Sequence, residues 1–194
     1  MKKYKVNEIF LSIQTEGTHA GHPAVFVRFS GCNYRCRWCD TNHERGRWMT
    51  AAQIDWRIDE LAGGDGGIIV VFTGGEPSLQ LVDAEPMGVP YRCCMETNGS
   101  NRAPSWMNWI TWSPKGGHDE YRASKREPDE IKMVFQRVYN SQILYMQRRF
   151  PKVPFYLQPR ERKGRMNTQE TVAFVKRWPG FRLSVQTHKL LGFR

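Results

Sequence analysis

The 194-residue sequence predicts an α/β fold built on a mostly parallel sheet, and three observations predict it. Short apolar runs recur along the chain, segments of helical periodicity stand between several of them, and two runs open directly into polar, glycine-bearing loops. Such alternation is the pattern of strand and crossover units, whose binding sites lie where the strands end.

The first run, AVFVRFSG at 24–31, is a β-rich stretch that delivers a cysteine loop. Thr50 then opens TAAQIDWRIDELA, in which Thr50 and Gln53 have capping-box spacing and Ile54, Ile58 and Leu61 recur at helical intervals. Gly63, Gly64, Gly66 and Gly67 end that helix. IIVVF at 68–72 is a second strand, opening into Gly74 and Gly75. Further strand-like runs lie at 91–96, 109–112, 130–135, 154–158 and 182–186, with a helical pattern over 138–149. A last helix is signalled by Asn167 and Glu170 as another capping pair, followed by Val172, Phe174 and Val175 and stopped near Pro179.

With 40% hydrophobic residues the chain has enough apolar material for one domain spanning 1–194. About 18 apolar residues in a row, the length of a membrane helix, occur nowhere, and the N-terminal segment lacks the pattern of a secretory signal. A soluble, cytoplasmic protein is expected. The net charge of +10 is spread over the chain without a nucleic-acid motif or a continuous basic tract. It therefore points to a solvated basic surface, an anionic substrate or an acidic redox partner rather than to nucleic acid.

The most informative stretch is GCNYRCRWCD, which places Cys32, Cys36 and Cys39 within eight residues of a chain that has only Cys93 and Cys94 besides. Three such thiols do not make a disulfide framework. They suit a four-iron cluster that keeps one iron open. A zinc site with His43 as fourth ligand is the alternative on spacing alone. Cys93 and Cys94 sit in an apolar run, as buried small residues do.

The C-x3-C-x-aromatic-C spacing, with Trp38 before Cys39, resembles the signature of radical S-adenosylmethionine enzymes, and TGGEP at 73–77 resembles their second motif. SIQTEG, CDT, METNGS, SPK, DEIK, YLQP and SVQTHK follow in an order similar to that of the 7-carboxy-7-deazaguanine synthase family, across nearly the whole chain. The resemblance implies a partial (β/α)6 TIM-like barrel, since a full eight-stranded barrel typically takes about 250 residues. It implies a 4Fe-4S cluster, S-adenosylmethionine and Mg2+ as cofactors, a low-potential electron donor such as a flavodoxin, and a homodimer. The implied reaction converts 6-carboxy-5,6,7,8-tetrahydropterin to 7-carboxy-7-deazaguanine with loss of ammonia.

Residue by residue, the resemblance implies that Cys32, Cys36 and Cys39 ligate the cluster and that Thr41 ligates magnesium. It implies that Trp38, Gly75, Glu76, Asn98, Ser113, Lys115 and Gln158 line the S-adenosylmethionine site. Gln14, Glu16, Arg28, Thr73, Gln186 and His188 are then the residues that hold the pterin. Arg28 and Glu16 have the right chemistry for this, a guanidinium for a carboxylate and an acceptor for an amino-pyrimidine edge. Thr15 departs from the pattern, which usually has glycine there. The rival enzymatic reading is a glycyl-radical-enzyme activase; QTEG, QTHK and Arg28 argue against it.

Overall fold

The structure, a computed structural model, describes residues 2–39, 41–87, 90–116, 120–124, 126–162 and 164–193. The chain opens with a long strand β1 (Lys3–Ile13), followed by β2 (Pro23–Phe29), a short β3 (Arg47–Thr50) and helix α1 (Ala51–Ala62). Then come β4 (Ile69–Gly74), a single turn α2 (Ser78–Leu81), β5 (Arg92–Thr97), β6 (Trp109–Trp112) and β7 (Glu130–Val134). Helix α3 (Asn140–Arg149) leads to β8 (Phe155–Gln158), the two-residue strands β9 (Glu161–Arg162) and β10 (Arg165–Met166), and helix α4 (Thr168–Arg177). Strand β11 (Phe181–Leu183) and helix α5 (Thr187–Leu191) end the chain.

Among the described residues nine strands form one open sheet in the order β11-β8-β7-β6-β5-β4-β2-β1-β3, with β9 and β10 as a separate hairpin. From β2 to β11 every neighbour is parallel. This is the mostly parallel, unclosed barrel that the sequence predicts, with its six principal strands and β11 as a seventh. Two additions were not anticipated: β1 runs antiparallel to β2, and β3 antiparallel to β1. The signal for β1 was its alternation, for Tyr4 and Val6 are buried between the polar Lys3, Lys5 and Asn7.

Helices are fewer than a regular β/α repeat supplies. Between β5 and β6 the described residues contain no helix, and the segment NGSNRAPSWMN explains why, since Asn, Gly, Ser and Pro favour turns. Helix α1 carries the full capping box, with Gln53 N donating to Thr50 Oγ1 and Thr50 N to Gln53 Oε1, and ends on Gly63 at φ 61°. The second expected box is absent. Asn167 instead turns its side chain outward from α4, accepting from Arg160 N at 2.6 Å and donating to Phe135 O at 3.1 Å. It joins the β8 loop to β7, and tertiary demand overrides the local cap. No helix among the described residues is long and apolar enough to cross a membrane.

The strand period divides the sheet into two faces. Val25, Val27 and Phe29 of β2, Val70 and Phe72 of β4, and Met95 of β5 pack with Ile54 and Ile58 of α1. Ile131, Met133, Phe155 and Leu157 pack with Ile143 and Phe174 of α3 and α4. Burial of each such side chain is worth about 1.5–3 kcal/mol. The opposite face starts with Ala24, Ile69, Val71 and Cys94 near the strand beginnings. Further along the strands, at Arg28, Thr73 and Glu96, it becomes polar, which is where the site lies.

Candidate active site

Alternation carries Arg28, Thr73, Glu96, Lys132 and Gln158 to the face opposite α1, α3 and α4, at the C-terminal ends of β2, β4, β5, β7 and β8. Ladder pairing fixes their spacing, as Arg28 lies opposite Thr73 and Lys132 opposite Tyr156. Of the site residues expected from sequence, all except Glu76 line one cavity of about 620 Å³.

The cysteine loop forms one wall. Gly31 N bonds the His43 carbonyl at 2.8 Å, Cys39 N bonds Cys36 O at 3.1 Å, and Tyr34 N donates to Cys32 Sγ at 3.4 Å. Cys32, Cys36, Cys39 and Trp38 all line the cavity, and none of the three cysteines is in a disulfide. Partial burial raises the Cys32 thiol, opposed by the Tyr34 N–H. Among the described residues no three His, Cys, Asp or Glu side chains converge on one point, as a single zinc ion requires. Three cysteines in one short loop on the cavity wall are by their chemistry the donor set of an iron-sulfur cluster with one iron open. Cys93 and Cys94 are buried in β5, with burial pushing their thiols up to about 11 and about 12, and they belong to the core. Thr41 also lines the cavity; Asp40 of the CDT motif lies outside the described residues.

The β4 loop rests directly on this wall. Gly75 N donates to Phe29 O at 3.0 Å and Glu76 N to Gly31 O at 2.8 Å. A Cβ on Gly75 would collide with the Gly31 carbonyl and crowd Cys32 Cβ at 3.2 Å. We expect Gly75→Ala to keep its circular dichroism but to bind markedly less iron after anaerobic reconstitution. Wild-type iron content would show that the contact does not set the loop.

Glu76 stands behind the cavity wall. It is 1% exposed and outside the cavity lining. Its Oε1 accepts from Ser78 N at 3.0 Å and Thr97 Oγ1 at 2.7 Å, and its Oε2 from Asn98 N at 2.6 Å. The carboxylate therefore locks the β4 and β5 loops together. Asn98, so held, reaches Asn33 of the cysteine loop with Nδ2 at 2.9 Å. Beyond it, Lys115 Nζ donates to Ser113 Oγ at 2.7 Å on the same side of the cavity.

The opposite wall holds a buried charge network. Lys132, 5% exposed at its side chain, lies 2.8 Å from Glu16 Oε2 and 2.6 Å from Glu96 Oε1. Glu16 Oε1 accepts from Gln158 at 2.7 Å and Gln186 at 2.9 Å. Glu96 also accepts from Gln14 Nε2 at 3.1 Å and Thr73 Oγ1 at 3.2 Å. Burial alone would raise the Glu16 carboxyl, but Lys132 with the bonds from Gln186 and Gln158 holds it at about 2. Burial likewise opposes the Lys132 charge, and Glu16 and Glu96 together raise its pKa above the ordinary lysine value. Lys132 and Glu96 were not singled out from the sequence. Their signal was present: a charge at alternate positions of an otherwise apolar strand, in METN and EIKMV, must be paired where it is buried.

Arg28 is likewise not an unpaired interior charge. Its Nε contacts Glu8 Oε1 at 2.8 Å, Nη1 donates to Thr41 Oγ1 at 3.0 Å, and the guanidinium stands 5.8 Å from the Phe10 ring centre. It remains on the cavity wall, between the cysteine loop and the buried network. His188 closes the cavity, its Nδ1 2.8 Å from Thr15 Oγ1.

A parallel, open sheet with a three-cysteine loop at the end of its first parallel strand defines a radical S-adenosylmethionine enzyme, and the profile of the Radical SAM superfamily matches residues 26–128. The 7-carboxy-7-deazaguanine synthase of Bacteroides thetaiotaomicron is 42% identical over 194 residues, covering 98% of each chain. That of Caulobacter vibrioides is 39% identical over 214 residues, covering 97% of this chain and 98% of the relative. The chain belongs to the 7-carboxy-7-deazaguanine synthase family. The crystal structure of QueE from Escherichia coli shares the fold, with a TM-score of 0.69 and 24% identity over 95% of this chain and 94% of that one.

Proposed function

We propose that the protein catalyses the ring contraction of 6-carboxy-5,6,7,8-tetrahydropterin to 7-carboxy-7-deazaguanine with loss of ammonia, in 7-deazapurine biosynthesis. The observation that carries this reading is the juxtaposition, in one cavity, of the cysteine loop, the Arg28 guanidinium and the Glu16–Lys132–Glu96 network. A carboxylated pterin has an anionic end and an edge of N–H donors, and these two walls complement them. A match of 42% identity along nearly the full chain supports the same substrate class.

Cys32, Cys36 and Cys39 would hold the 4Fe-4S cluster, and Asn98, Ser113, Lys115 and Trp38 the S-adenosylmethionine. When bound, these groups supply the radical that takes a hydrogen from the substrate. The protein's own share is placement: Arg28 grips the carboxylate, and Glu16 and Glu96 orient the heterocycle. Thr41 is the residue for Mg2+. Its hydroxyl stands beside the Arg28 cation, so it fits the metal together with an anionic substrate carboxylate rather than alone. Reduction by an acidic, flavodoxin-like donor is supported by Arg35, Arg37, Arg160 and Arg162, which line a second cleft that shares Cys36 and Trp38 with the site cavity.

Anaerobic incubation of the reconstituted protein with S-adenosylmethionine, reductant and the carboxylated pterin, followed by mass analysis, tests the reading. Release of 7-carboxy-7-deazaguanine and ammonia supports it; S-adenosylmethionine cleavage with the pterin unchanged overturns it. Arg28→Ala should retain the cluster but lose about 2–5 kcal/mol of substrate binding, as expected when one member of a desolvated charge pair is removed. Arg28→Lys should lose less, because it keeps the charge without the fork. Undiminished affinity of Arg28→Ala in an anaerobic titration would assign the carboxylate to another group.

A further inference from the structure

One wall of the cavity is made from two segments far apart in the chain, and among the described residues four hydrogen bonds join them. Gly17 N donates to Ser184 Oγ at 3.2 Å, Gln186 Nε2 to Glu16 Oε1 at 2.9 Å, and Thr187 Oγ1 to Thr15 O at 3.5 Å. The fourth, between Thr15 Oγ1 and His188 Nδ1 at 2.8 Å, is the shortest and the one made by a side chain outside the expected pattern. Thr15 is buried, at 7% exposure, and its amide is spent on Gln14 Oε1 at 2.9 Å.

From this geometry we propose that Thr15 is a positioning residue for His188: its hydroxyl holds Nδ1, fixes the ring plane, and presents Nε2 to the polar edge of the substrate. If the hydroxyl donates to Nδ1, then Nε2 carries the proton and donates; if Nδ1 donates, Nε2 accepts. A threonine hydroxyl serves either tautomer, so the contact sets the orientation of the ring while leaving Nε2 able to meet a donor or an acceptor. A glycine at position 15 would leave the ring to rotate about two bonds at the mouth of the cavity. The cost would fall on substrate binding, since fixing a side chain beforehand removes that entropy from the binding step. Neither Thr15 nor His188 touches the cysteine loop in the described contacts, so cluster assembly and uncoupled S-adenosylmethionine cleavage should be indifferent to the contact.

The substrate part of this inference rests on the function proposed above; the ring-fixing part does not. The test uses Thr15→Val, which keeps the shape and removes the hydroxyl, Thr15→Ser, which keeps the hydroxyl, His188→Ala and the double variant Thr15→Val/His188→Ala. In the reconstituted holoenzyme Thr15→Val should raise the pterin KM about tenfold, the worth of one hydrogen bond, with kcat nearly unchanged. Thr15→Ser should restore it, and the double variant should be no worse than His188→Ala. In parallel, long-range 15N–1H spectra of the substrate-free protein should show the His188 ring signals displaced in Thr15→Val and restored in Thr15→Ser. Additive effects of Thr15→Val and His188→Ala on KM, or ring signals unmoved by Thr15→Val, would overturn the proposal. If the ring signals move while the wild type fails to convert the pterin, the contact stands and the substrate reading is what has failed.

Discussion

Lys132→Met will lower the stability of the folded protein by about 3–5 kcal/mol, the range for removing one partner of a buried ion pair. For a chain of this size that is a fall in Tm of roughly 6–20 °C. The magnitude follows from what is left behind. Lys132 is 5% exposed and serves two carboxylates, Glu16 and Glu96, that approach it from different segments. Without the ammonium they face each other in a poorly solvated space, and one must take up a proton. Replacing all three groups with neutral isosteres, Lys132→Met with Glu16→Gln and Glu96→Gln, should recover most of the stability and none of the turnover. Stability within about 1 kcal/mol of wild type for Lys132→Met alone would mean that the network contributes only orientation.

The same network fixes a pH dependence, and its sign follows from the two shifts. Glu16 is held at about 2, below its ordinary 4.5, so its contribution is present above about pH 4.5 and is lost as pH falls toward 2. Lys132 is raised above its ordinary 10.5, so its contribution is present below that pH and is lost only in strong alkali. Denaturant titrations should therefore give a plateau between these limits. In Lys132→Met the acid decline should begin at higher pH, because Glu16 has lost the cation that depressed it.

Cys36→Ala will abolish reductive cleavage of S-adenosylmethionine. Cys36 sits mid-loop, its carbonyl bonded to Cys39 N, and it lines both the site cavity and the neighbouring arginine-bearing cleft. A three-thiolate site with one ligand removed holds its cluster weakly, and no other free thiol is available: Cys93 and Cys94 are buried, with pKa values pushed up to about 11 and about 12. Iron and sulfide analysis should show the loss, while the core, which the loop does not enter, keeps its Tm. Wild-type cleavage by an iron-free Cys36→Ala protein would reject the cluster assignment.

The parallel strands, the first helix cap and the cysteine loop were legible in the sequence because each is written in neighbouring residues. The period of two in VFVRF already puts Arg28 on the face opposite Val25, Val27 and Phe29. Strand β1 escaped, since half of its residues are polar on both faces and its order comes from pairing with β2 and β3. The Asn167 cap failed for the converse reason: a local pattern was present, but a contact 32 residues away, with Phe135 O, claimed the side chain.

By itself the sequence determined which residue types face the cavity and in what order along the chain they arrive, because alternation and motif spacing are local properties. Which of them meet was decided only by the tertiary structure. Lys132 with Glu96 spans 36 residues, Gln158 with Glu16 spans 142, and Thr15 with His188 spans 173. Such pairings depend on the sheet order, which sets β7 between β6 and β8 and brings the C-terminal segment back against the first loop. A charge in a strand announces that it needs a partner, since burying it alone is too costly. Only the folded chain says which partner it has.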